Sequence, residues 1–247
     1  MDKLGIIGGT GLTSLDGLEI VDTITCDTVY GKPSSDLVLG RFAGSEVLFL
    51  ARHGNPHSIP PHKVNYRANI QALHDNGIRQ VLAVNAVGGI TTGMHPQRIV
   101  IPDQVIDYTW SRAHTFFEEE LEHVNHVDFT NPYSHILREK LKAAADAMKI
   151  DVIDTGTYGA TQGPRLESSA EIRRMKKDGC DIVGMTGMPE AGLAREKGME
   201  YASLSLVVNW AAGQSEEEIT MDIIEDNLRA GMQNILVLIA EFLGQQD

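Results

Sequence analysis

The sequence predicts an α/β fold, a single domain over residues 1–247 with a central β-sheet flanked by helices. Three observations predict it. Short apolar runs that end in glycine or polar residues alternate with amphipathic stretches of helical period. No linker rich in Pro, Gly or Ser divides the chain, and no internal repeat is visible. A length of 247 residues is ordinary for one α/β unit.

The elements follow in order. Strands are expected over 3–8, 46–51, 80–85, 104–108, 152–157 and 201–208, where apolar residues cluster and a glycine or polar group ends the run. Helices are expected over 63–76, 132–148, 168–177, 189–197 and 216–243. In the last of these Ile223, Ile224, Leu228, Met232, Ile235, Ile239 and Phe242 fall on roughly one face. Strands alternating with helices argue for a largely parallel sheet between helical layers, with ligands bound beyond the carboxyl ends of strands.

Composition narrows the function. With 21 Lys and Arg against 34 Asp and Glu, the formal net charge is −13. Such a surface repels nucleic-acid phosphates and anionic lipid, so neither is expected as a partner. An anionic substrate would need a local basic pocket. Two cysteines, Cys26 and Cys180, make neither a disulfide framework nor a four-ligand zinc site. The opening apolar run, residues 4–9, is too short for a signal peptide or a membrane span, which points to the cytoplasm.

Several polar segments fall at strand ends. Gly8-Gly9-Thr10-Gly11 could cradle an oxyanion with backbone N–H groups and a hydroxyl, or simply turn the chain. It is no dinucleotide fingerprint, because Ser14 stands at the third glycine position, and no Walker lysine follows. Arg52-His53 could grip phosphate, the imidazole adding charge if protonated, or form a surface ion pair. His53, His57 and His62 suggest a metal, but Pro56, Pro60 and Pro61 break any helix that would align them and no acid lies nearby, so no metal is expected. Glu167 follows the turn Gly163-Pro164-Arg165-Leu166 and could cap a helix or face a ligand. Asn209 ends the apolar run 204–208, where its amide needs partners from ligand or backbone.

Six segments resemble those of the trimeric purine nucleoside phosphorylase and methylthioadenosine phosphorylase family, in family order. They are Gly5-Ile6-Ile7-Gly8-Gly9-Thr10-Gly11, Ala51-Arg52-His53-Gly54, Lys63-Val64-Asn65-Tyr66, Asn85-Ala86-Val87-Gly88-Gly89, Gln162-Gly163-Pro164-Arg165 and Met185-Thr186-Gly187-Met188-Pro189-Glu190. The resemblance implies a mixed sheet, a homotrimer or a dimer of trimers, and reversible phosphorolysis of purine ribonucleosides with inorganic phosphate as co-substrate and no cofactor. It places phosphate on Thr10, Arg52, His53, Asn85, the backbone of Ala86 and Thr186, with Met185 against the ribose. Asn209, Arg52 and His53 would carry the chemistry. His126 resembles the loop residue that enters a neighbouring subunit's site.

The base pocket adds detail. Family members that prefer adenine carry aspartates where this chain has Asn209 and Ala211, and those that prefer 6-oxopurines keep a glutamate at Glu167. A carboxylate accepts from the oxopurine N1–H and an amide donates to O6 or N7, whereas adenine presents an acceptor at N1. The position that reads a ribose 5′-hydroxyl in inosine enzymes corresponds to Met221, a thioether suited to a 5′-methylthio group or simply to core packing. The expected activity is therefore phosphorolysis of 6-oxopurine 5′-methylthio nucleosides. Phosphorolysis of methylthioadenosine, or of inosine and guanosine, is the nearest alternative; a nucleoside-binding protein or a hydrolase is a more distant one.

Overall fold

The computed structural model describes residues 3–12, 15–118, 123–216 and 218–245. Its spine is three buried strands: β1 (Leu4–Gly8), β5 (Gln80–Gly89) and β11 (Glu200–Trp210), whose side chains are almost all out of solvent. Continuous apolar runs of this kind belong in a sheet covered on both faces. β1 lies parallel to β4 (Ser45–Ala51) on one side and to the first half of β5 on the other, and β5 is parallel to β11 along its length. β2 (Glu19–Ile24) and β3 (Leu37–Phe42) extend the sheet antiparallel beyond β4. On the far side β10 (Ile182–Gly184) runs antiparallel to the end of β5 and leads to β9 (Thr157–Ala160) and β7 (Gln104–Asp107). β6 (Ile99–Val100) and β8 (Val152–Ile153) branch from β11. The sheet is mixed, as the resemblance implies.

Alternation along the spine supplies two cores. Leu4, Ile6, Leu82, Val84, Leu204 and Leu206 pack under α2 (His135–Met148) and α5 (Met221–Gly244), through Leu137, Leu141, Ile235, Ile239 and Phe242. Ile7, Leu48, Leu50, Val81, Ala83 and Tyr201 face the other way, onto α1 (Tyr66–Asp75) and α4 (Gly187–Glu196). α3 (Ser169–Asp178) closes a smaller cluster through Ile172 and Met175.

Element boundaries differ from expectation where local chemistry intervenes. The helix expected over 63–76 divides into a 3-10 turn (Pro61–Lys63) and α1, because the Asn65 side chain caps α1 by accepting the Ala68 N–H at 3.1 Å. The strand expected over 152–157 becomes β8 and β9, parted at Gly156 with φ +140°. α5 starts at Met221 rather than at 216, since Thr220 supplies its cap. The sequence pattern does not predict β2, β3, β6 and β10. β2 leaves Ile20 and Val21 both exposed across a bulge, and β6 and β10 are too short to show a period.

One detail of the sheet creates the site. The β1 ladder on β5 ends at Ala83 and the β10 ladder begins at Gly88, so residues 84–87 have no strand neighbour along that edge. Backbone groups exposed in such a gap must find other partners.

Candidate active site

A cavity of about 240 Å³ opens at this gap, lined by Asn85, Ala86, Val87 and Gly88 from β5. Arg52 and His53, just after β4, enter from one side, and Thr10, after β1, lies beside them. Arg52 is fully buried. Its Nε and Nη2 donate to Glu190 on α4 at 2.7 and 2.8 Å, and Nη1 donates to Val84 O at 3.0 Å. Tyr201 donates to the same Glu190 carboxylate at 2.8 Å. Burial works against the Arg52 charge, but Glu190 outweighs it and holds the guanidinium pKa above its ordinary value. A guanidinium has five N–H donors, so two remain for a ligand.

Val84 O points into the gap toward Arg52. Backbone groups two residues apart on a strand share an edge, so the Ala86 N–H points the same way and no strand answers it. Gly9 must be glycine here: a Cβ on it would fall 2.5 Å from Val84 O and 2.8 Å from Arg52 Nη1.

His53 is buried, and its Nδ1 lies 2.8 Å from Ile59 O. A carbonyl only accepts, so Nδ1 carries the proton. Burial, then the Arg52 charge, push the His53 pKa from 6.5 to about 4. The ring is therefore neutral at pH 7, so the charge that a protonated imidazole would add is absent, and Nε2 presents a lone pair. His57 stacks on it with centroids 4.6 Å apart and planes 5° apart. Thr186 precedes α4, and its hydroxyl donates to Asn85 Oδ1 at 2.8 Å. Asn85 Nδ2 donates to Ser203 Oγ at 2.6 Å, and Ser203 meets Ser205 at 3.1 Å. The Asn85 side chain thus holds Thr186 from behind as well as lining the cavity.

Glu167, Asn209, Ala211 and Met185 line the same cavity. Glu167 is no helix cap: Ser168 and Glu171 form the capping box of α3, leaving Glu167 one residue outside. Its Oε1 accepts the Thr161 hydroxyl at 2.6 Å, so Oε2 is open. Asn209 lies within β11, next to a register shift, and its Nδ2 donates one hydrogen to Trp210 O at 2.7 Å. One N–H and the carbonyl oxygen remain. Val183, Val208, Ile219 and Ile224 supply apolar wall.

Two expected residues stand apart. Met221 opens α5 with 64% of its surface exposed and is not among the lining residues; Ile219 and Ile224 take the apolar wall instead. His126 is exposed and also outside the cavity of its own chain. Sequence reasoning gave no role to Glu190, Tyr201 or Thr161. Glu190 was within reach, because an arginine on a buried strand end demands a counter-charge. A second cavity, about 420 Å³, shares only Glu167 with the first and opens beside Trp110 and Arg174. Among the described residues no cluster of His, Cys, Asp or Glu could hold a metal, and no helix is long and apolar enough to cross a membrane.

A central strand left unpaired along one edge beside a buried arginine, opening onto an apolar chamber with a carboxylate and an amide, is the arrangement of an α/β enzyme site. The phosphorylase superfamily model matches residues 3–244, and the chain belongs to that family. A probable S-methyl-5′-thioinosine phosphorylase of Pseudomonas syringae pv. tomato is 55% identical over 98% of this chain and 99% of its own. A 6-oxopurine nucleoside phosphorylase of Pyrococcus furiosus is 43% identical over 97% of this chain and 91% of its own. Among solved structures, a methylthioadenosine phosphorylase from Schistosoma mansoni in complex with adenine superposes with a TM-score of 0.95 at 33% identity, covering 99% of this chain and 92% of that one.

Proposed function

We propose that this chain catalyses phosphorolysis of 6-oxopurine ribonucleosides, with S-methyl-5′-thioinosine preferred, giving hypoxanthine and 5-methylthioribose 1-phosphate. One observation carries the reading. A single cavity has Arg52, His53 and Thr186 in its anion cradle and Glu167, Asn209 and Ala211 on its other walls, with no aspartate among its lining residues.

The reaction needs no protein nucleophile, because phosphate attacks C1′ while the sugar becomes oxocarbenium-like and the departing purine gains negative charge. Catalysis then consists of positioning and of donors aimed at developing charge. The two free N–H groups of Arg52 and the Ala86 N–H hold phosphate oxygens. His53 Nε2 accepts the hydrogen of the hydrogenphosphate dianion. That proton must leave as the sugar phosphate forms, and the released purine takes one up, so the two sides balance through His53 and solvent. At the base, Glu167 Oε2 accepts N1–H and the remaining Asn209 N–H donates to O6 or N7. Adenine would set an acceptor against the carboxylate, at a cost of about 1–3 kcal/mol.

The apolar wall of Ile219 and Ile224 suits a 5′-methylthio group, in place of the contact expected from Met221. Phosphate is the co-substrate, and no cofactor or metal enters the scheme. The reading includes a cytoplasmic homotrimer or dimer of trimers, with His126 completing a neighbouring protomer's site. The test is competition. Protein and phosphate are mixed with equimolar methylthioinosine, methylthioadenosine and inosine, beside a phosphate-free control. Preferred, phosphate-dependent loss of methylthioinosine is expected. Preferred loss of methylthioadenosine overturns the base assignment, preferred loss of inosine overturns the 5′ assignment, and cleavage without phosphate points to a hydrolase.

A further inference from the structure

We propose that Arg112 is a positioning residue that locks the anion end of the cavity to its base end. It lies outside the cavity, in the loop between β7 and the segment that holds His126, and is half-buried. Its guanidinium serves six acceptors. Nη1 donates to Met185 O at 2.9 Å, Met188 O at 2.6 Å and Tyr66 Oη at 3.3 Å. Nη2 donates to Thr161 O at 3.1 Å and Gln162 O at 2.9 Å, and Nε donates to Gln162 Oε1 at 3.1 Å. The guanidinium also lies 5.4 Å from the centre of the Tyr66 ring.

None of the six acceptors is a carboxylate, which sets Arg112 apart from a surface ion pair. Four are backbone carbonyls of the two segments that carry the site, 161–162 after β9 and 185–188 at the start of α4. Met185 to Met188 brackets Thr186. Thr161 and Gln162 begin the turn to Glu167, and the Thr161 hydroxyl itself holds Glu167. Tyr66 donates in turn to Pro61 O at 3.0 Å, and Pro61 lines the cavity. One planar fork therefore fixes three wall segments against one another. A lysine, with a single ammonium, could not span these acceptors. The loop bearing Arg112 is pinned on both sides. Trp110 N donates to Gln162 Oε1 at 3.2 Å, and Glu196 accepts from Thr115 Oγ1 at 2.6 Å and Phe116 N at 2.7 Å. The clamp is thus held rigidly on its own side.

The inference rests on the phosphorolysis reading, and its test separates the two. Arg112→Met and Arg112→Lys are compared with the unaltered protein in three measurements: KM for phosphate, the kcat/KM ratio of methylthioinosine to methylthioadenosine, and melting temperature. Displaced reacting groups typically cost roughly 10–100-fold in rate. Arg112→Met is expected to raise the phosphate KM roughly tenfold and to lower the base preference several-fold in the same protein, with Arg112→Lys between it and the unaltered enzyme. Unchanged KM and unchanged preference, with loss confined to kcat or melting temperature, overturn the clamp. If the unaltered protein releases no base, the functional reading fails. The clamp is then judged on inorganic phosphate binding by calorimetry, where equal affinity in the unaltered protein and Arg112→Met overturns it.

Discussion

Glu190 grips Arg52 through both carboxylate oxygens, at 2.7 and 2.8 Å, with neither side chain open to solvent. The pair is the fixed wall of the proposed phosphate site. Removing one partner of a buried ion pair leaves an uncompensated charge, which costs about 3–5 kcal/mol. Glu190→Gln keeps the shape and loses the charge. We expect it to lower unfolding stability by roughly that amount and to raise the phosphate KM, read by denaturant titration and by phosphate-dependent turnover. Intact stability would show that Tyr201 and the cavity compensate the arginine without Glu190.

The proposed function assigns base reading to Asn209 and Glu167. Asn209→Asp should shift the kcat/KM ratio toward adenine nucleosides by roughly tenfold or more, because the introduced carboxylate still accepts from an adenine 6-amino group but loses the N–H that would answer the oxopurine O6. Thr161→Val should shift it the same way by a smaller factor, since Glu167 then loses the hydroxyl that orients it. A constant ratio in both variants would move recognition elsewhere in the chamber.

Acid should weaken the protein through His53. Its pKa is near 4 in the fold and near 6.5 in the unfolded chain. Below pH 6.5 the unfolded chain binds a proton that the folded ring refuses, so stability falls as pH drops from about 6.5 to about 4 and changes no further below that from this group. Every tenfold difference in proton affinity between the folded and unfolded chain is worth about 1.4 kcal/mol, so the loss is at most a few kcal/mol. His57, whose pKa burial also lowers, acts in the same direction. His53→Asn should flatten the stability profile between pH 7 and pH 4.5, measured by guanidinium titration; a parallel profile would place the acid sensitivity in other groups.

The 5′ end gives a contrast between neighbours. Met221→Ser changes an exposed side chain and should leave the preference for methylthioinosine over inosine within a factor of two. Ile224→Ser introduces a hydroxyl into the apolar wall and should lower that preference several-fold. The opposite result would return the 5′ contact to Met221.

Much of the architecture was legible because its signals are local. The apolar runs of β1, β4, β5 and β11 are long enough to read, and their glycine-rich ends marked the cavity. β6 and β10 were invisible because strands of two or three residues take their form from neighbours that pair with them. Arg52 was found as a ligand candidate, but its carboxylate partner lies 138 residues away in sequence and only the fold joins them. The protonation of His53 is not readable in the sequence for the same reason: the carbonyl and the charge that decide it come from tertiary packing. Met221 is carried over by position from the resemblance, but directly after the Thr220 cap of α5 its side chain is exposed and the cavity is lined by Ile219 and Ile224 instead.

The break in strand pairing at residues 84–87 also divides what can drift from what cannot. The Ala86 donor belongs to the backbone of a central strand, so no substitution other than proline removes it, and its direction is tied to the register of β5 with its neighbours β1 and β11. Glu167 stands on a turn and Asn209 near a strand end, where a single exchange alters what the chamber accepts. On the proposed assignments, descent within such a fold would keep the anion and renegotiate the base.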